Sequence, residues 1–185
     1  MMTQHLCISV TFLDSLFHGQ GDSGPEWPPS PMRLFQGLLA GSHAGCRSCE
    51  WTEAKAEAFR WFERQKPPRI VAPIAKLAAP CTLFVPNNDS DKRFDRQNRL
   101  TSKISHPHRL CGGNTLHYLW PMDEKDGPAT PSHADLVCRA ARHFLALGWG
   151  IDQVVGNGRV LDEAEAAAPA GRIDGALGTA QQLSS

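Results

Sequence analysis

An α+β fold, one mixed sheet covered on one face by helices, is predicted by three features of this chain. Short alternating apolar runs open it and recur later. Two helical stretches follow the first run and a third lies between the later ones. Prolines, glycines and capping residues punctuate the boundaries between them.

Taken in order, Leu6 to Leu13 alternates as a strand. The corner Glu26-Trp27-Pro28-Pro29-Ser30-Pro31 forbids helix until Ser30, which can cap, and Pro31, which can open a helix through Met32-Arg33-Leu34-Phe35 because the first-turn amide has no partner anyway. Gly41 to Cys49 interrupts. Thr52 then caps a second helix running to Arg64, in which Ala58, Trp61 and Phe62 share a face, and Pro67-Pro68 stops it. Arg69-Ile70-Val71-Ala72 and Cys81 to Val85 are short strands at sheet edges or ends, being bounded by prolines. Asn87 to Arg109 has the polar composition of an exposed loop or ribbon. Thr115 to Trp120 is a strand entered from Gly112-Gly113-Asn114.

Ala134 to Leu147 carries the clearest apolar helical stripe, with Ser132 as cap and Gly148 as stop. Ile151 to Val155 and Arg159 to Leu161 flank Gly156-Asn157-Gly158, the composition of a hairpin turn. Beyond Asp162 the chain turns Ala-, Gly- and Ser-rich, so residues 163–185 read as a low-complexity, disordered tail. Two strand-helix-strand halves of this kind make a ferredoxin-like domain, the architecture of RNA-recognition modules, over residues 1–162.

At 185 residues and 41% hydrophobic, the chain is long enough for one buried core. The amino terminus, Met1 to His5, has neither the basic region of a signal peptide nor a long apolar run, so no membrane partner is expected. Six cysteines scattered through core-like elements suit reduced thiols and a cytoplasmic setting. Net charge is zero but unevenly spread: Lys92 to Arg109 holds six Lys or Arg against Asp95 alone, net +5, whereas Asp123 onward has nine acids and five bases, net −4. Screening acts over roughly 8 Å at physiological salt, so a local basic run can follow a phosphate backbone on a neutral protein.

The strand, His18 loop, Glu-Trp-Pro-Pro-Ser-Pro corner and Arg-Leu-Phe helix resemble the CRISPR-associated fusion family of type I-U (I-G) systems, which joins the guide-RNA-gripping Cascade subunit to the guide-processing nuclease. Phe84-Val85-Pro86-Asn87-Asn88-Asp89 and Leu147-Gly148-Trp149-Gly150-Ile151-Asp152 extend the resemblance. It implies that this chain is the amino-terminal part, with the endoribonuclease in a further half. It also implies a modified RNA-recognition fold with an extruded basic ribbon at residues 87–111, and partners that are guide RNA and other Cascade subunits, with target DNA met only indirectly.

Within that ribbon Arg93, Arg96, Arg99, Lys103 and Arg109 are expected on phosphates and Phe94 on a base, because arginine pairs bidentately with phosphate and aromatics stack on any base. The bland alternative is a solvated loop. Trp27 and its prolines read as a rigid wall, and Arg33 either neutralises Glu26 or faces solvent. A rival reading is a metal-independent endoribonuclease using His18, His106 or His108 as general acid or base. Cys46 and Cys49, with His43 nearby, are a weak zinc alternative lacking a second ligand pair, and Cys111 with His106 and His108 is the sole complement. No cofactor is expected: the sequence has no phosphate-cradling loop or nucleophile elbow, and Asp162, Glu163 and Glu165 form an ordinary solvated run.

Overall fold

A computed structural model of the chain describes residues 4–86, 100–122, 127, 129–167 and 180–183. It is a mixed α/β fold built on a curled antiparallel sheet. The elements in order are β1 (Gln4–Phe12), the short strands β2 (Leu16–Phe17), β3 (Gln20–Gly21) and β4 (Gly24–Pro25), α1 (Pro31–His43), a 3-10 turn (Gly45–Glu50), α2 (Glu53–Glu63), β5 (Arg69–Leu77) and β6 (Cys81–Pro86). They continue with β7 (Leu100–Ser105), β8 (His108–Cys111), β9 (Thr115–Met122), α3 (Thr130–Ala141), β10 (Val154–Leu161), α4 (Glu163–Ala167) and β11 (Ala180–Leu183).

The sheet runs β10-β1-β9-β5-β8-β2, and β11 adds to β5. Every pairing is antiparallel. Alternation along β1 sends Leu6, Ile8, Val10 and Phe12 toward the helices, where Leu34, Leu38, Phe59, Phe62, Val137 and Phe144 meet them. Cys7 joins Val71, Leu119, Leu161 and Ala166 in a smaller cluster on the opposite face. The Ser30 and Thr52 hydroxyls accept the Arg33 and Lys55 amides, as the capping argument requires. Pro73 sits inside β5, not at its end. It falls where β5 changes neighbours, since Arg69 to Val71 pair with β9 and Ile74 to Leu77 with β8. A residue that cannot donate fits that transition.

Three expectations are corrected. Gly156-Asn157-Gly158 is not a turn; it lies inside β10, in register with Val10, Ser9 and Ile8. These glycines admit α3: a Cβ on Gly156 would lie 2.2 Å from the Ala141 carbonyl, and one on Gly158 2.4 Å from Cys138 Cα. Helix α3 spans Thr130–Ala141, not Ala134 to Leu147. Pro131 is tolerated in its first turn, and Leu147 turns away to donate its amide to the Asp152 carbonyl at 3.0 Å. The stretch after Asp162 is also partly ordered. Asp162 and Glu165 exchange side-chain-to-amide bonds at 2.8 and 3.0 Å, a capping box that starts α4, and Arg69 donates to the Ala166 carbonyl. Strand β11 needs only backbone partners, so poverty in bulky residues does not prevent it from pairing with Ile70 to Pro73.

Candidate nucleic-acid interface

Among the described residues, strands β6 and β7 pair only with each other, from Cys81↔Ser105 to Pro86↔Leu100, forming a two-stranded ribbon apart from the main sheet. The ribbon arms therefore begin at Cys81, and His108 to Cys111 belong to the main sheet through β8. Because directly paired residues share a face, Thr82, Phe84, Ser102 and Ile104 lie on one side and Leu83, Val85, Thr101 and Lys103 on the other. Phe84 and Ile104 are 66% and 69% exposed.

Of the residues expected on RNA, Arg93, Phe94, Arg96 and Arg99 lie outside the described residues. Lys103 is exposed on β7. Arg109 is exposed on β8, opposite Leu16 and Lys76.

The Leu147 to Asp152 turn faces the ribbon. Its geometry is set by Asp152, which is buried and accepts hydrogen bonds from the His18 ring at Nδ1 (2.7 Å), the His18 amide (3.0 Å) and the Trp149 amide (2.7 Å). Asp152 also donates its own amide to the Trp149 carbonyl at 2.9 Å. Gly148 has φ +124°, and a Cβ there would lie 2.3 Å from Asp152 Oδ2, so the turn closes only around glycine. Trp149, Gly150 and Ile151 thereby line, together with Leu83, Phe84, Val85 and Lys103, an open cleft of about 460 Å³. Sequence reasoning missed Trp149 and Asp152 as site residues. The signal was a tryptophan between two glycines, three residues before an acid.

The histidines of the rival reading occupy different settings. His18 is buried with Nδ1 committed to Asp152, while His106 is exposed. His108 is half-buried beside Trp27, where burial lowers its pKa below the usual histidine value. Arg33 binds Glu26 through Nε (2.9 Å) and a terminal nitrogen (2.7 Å), and donates to the Gln20 carbonyl at 2.8 Å. Trp27 packs on Phe17 at 5.6 Å and donates to the Pro73 carbonyl at 3.2 Å, so the corner is a wall. Cys46 and Cys49 are exposed on the 3-10 turn, where the Cys49 thiol donates to the Cys46 carbonyl at 2.7 Å. Among the described residues no three His, Cys, Asp or Glu side chains are grouped to hold a metal.

The family model of the CRISPR-associated protein, GSU0054 family, matches residues 4–173. The chain belongs to this family. Membership of the GSU0054 family makes it a CRISPR-associated protein. Among solved structures, a CRISPR protein from Archaeoglobus fulgidus is similar at 11% identity and a TM-score of 0.38, over 85% of this chain. The chain spans 63% of that protein's length. No curated protein matches. Among the described residues of this GSU0054 family member, no helix is long and apolar enough to cross a membrane.

Proposed function

We propose that this GSU0054 family member is an RNA-binding subunit of a type I CRISPR surveillance complex, holding the repeat-derived handle of the guide RNA. In this reading it corresponds to the amino-terminal part of the I-U (I-G) fusion, and guide processing belongs to a carboxyl-terminal nuclease half. Its partners are guide RNA and neighbouring Cascade subunits. Its own chemistry is binding, in the cytoplasm.

The observation that carries this reading is the ribbon. Among the described residues its two arms pair only with each other, and in sequence the segment net +5 from Lys92 to Arg109 begins between them and includes β7. Cations on such an arm can follow a flexible strand without the rest of the protein being basic. The central order β10-β1-β9-β5, with α1 and α2 linking β1 to β5 and α3 linking β9 to β10, is what two interleaved strand-helix-strand halves produce, and it supports a ferredoxin-like, RNA-recognition-type domain.

Charge reversal at Arg96 and Arg99, Arg96→Glu with Arg99→Glu, tests the reading by filter binding of single-stranded repeat RNA across a salt series. Binding is expected to weaken, and the logarithmic salt slope to fall by about 1.4 if both residues contact phosphate. Unchanged affinity and slope would remove the ribbon from the RNA path.

A further inference from the structure

Four of the five tryptophans are used in packing: Trp61 and Trp120 are buried in the core, and Trp27 and Trp51 pack against it. Each of these four also has an aromatic or histidine ring as neighbour. Among the described residues Trp149 has neither role, and it is only half-buried. The backbone that carries this ring is nevertheless held firmly, because Asp152 binds both the amide and the carbonyl of Trp149 and is itself anchored by His18. An uncommitted aromatic side chain on a fixed backbone suits a stacking surface, since the main-chain part of the ordering cost is met before a ligand arrives.

The space beside it has matching chemistry. Leu83, Val85 and Ile151 supply apolar walls, Phe84 borders the cleft, Gly150 leaves open space, and Lys103 contributes a cation on the same strand that continues the basic run. We propose that this cleft takes one splayed-out nucleotide of the bound single strand, its base stacked on Trp149 and its phosphate at Lys103. This rests on the RNA-binding reading above and gives it a specific subsite. A paired base cannot enter, so the site selects single strand over duplex.

The test is a double-mutant cycle between the tryptophan and the base. Affinities of the wild-type chain and of Trp149→Ala are measured by fluorescence anisotropy for an oligouridylate and for an abasic ribose-phosphate chain of equal length. Removing the bases is expected to weaken the wild type by a factor roughly five- to 150-fold larger than it weakens Trp149→Ala, the span that about 1–3 kcal/mol per stacked base represents. Trp149→Phe, which keeps a ring, should restore most of the coupling. Lys103→Ala should lower the salt slope by about 0.7 for both chains of nucleotides.

Equal losses in wild type and Trp149→Ala overturn the cleft assignment while leaving RNA binding in place. Absence of any binding by the wild type removes both. If Trp149→Ala does not fold, 4-thiouridine crosslinking of the wild type decides instead. A crosslink at residues 149–151 supports the subsite, and crosslinks confined to other segments overturn it.

Discussion

His18 Nδ1 lies 2.7 Å from Oδ1 of Asp152, a carboxylate 134 residues further along the chain, and both side chains are withdrawn from solvent. The contact ties the loop after β1 to the turn before β10. Asp152 thus serves two segments at once: Oδ1 accepts from the His18 ring and amide, and Oδ2 accepts from the Trp149 amide and, at 3.2 Å, the His18 amide.

Replacing Asp152 with Ala would leave the His18 ring nitrogen and two amides unpaired in a buried place. A loss of about 3 kcal/mol is expected, with Asp152→Asn retaining part of it. Urea unfolding followed by tryptophan fluorescence measures this. A loss below about 0.5 kcal/mol would mean that the contact does not organise the two loops.

Gly158 allows β10 to lie directly under Cys138. Gly158→Ala should destabilise the protein by about 2 kcal/mol or more, because the colliding atoms are α3 backbone and cannot swing aside. Gly150→Ala, where a Cβ meets nothing within 4 Å, is the matched control and should unfold at nearly the wild-type urea midpoint.

Alkaline pH should destabilise the fold through two buried acids. Burial pushes the Cys138 thiol from its usual 9.0 up to about 11, with the Asp135 carboxylate adding to the shift. Burial also drives the Tyr118 phenol above its ordinary range, aided by Glu26. A raised folded pKa means that the stabilisation is complete below the unfolded value and is lost as pH rises toward the folded one, so the decline should start near pH 9 for Cys138 and near 10 for Tyr118. Urea midpoints on either side of pH 9 should show the fall, reduced in Cys138→Ala. Tyr118→Phe should flatten the later part while costing about 1–2 kcal/mol near neutrality, since the Pro29 carbonyl loses its 2.8 Å hydrogen bond.

Much of the fold was legible where a local rule acts alone. Ser30 with Pro31 and Thr52 announced two helix starts to the residue, because capping and proline effects need only the neighbouring backbone. Alternation located β1 and β9 for the same reason. Gly156 and Gly158 misled the hairpin reading. Their glycine identity answers to a helix packed from elsewhere, and composition cannot distinguish a turn from a close approach. Of the candidate site, the basic run was visible as charge, but its arms were displaced because Cys81 to Pro86 finds its partner in Leu100 to Ser105, a non-local choice.

By itself, then, the sequence determined the starts of α1 and α2, the alternating core strands, the basic segment and the proline wall, since each depends on interactions within a few residues. Only tertiary structure decided that β6 and β7 leave the sheet together, that Arg33 is spent on Glu26, and that Asp152 reaches back to His18 and fixes Trp149 beside the ribbon. Those outcomes depend on which distant surfaces meet, and the energy of such a meeting exists only once the chain has closed on itself.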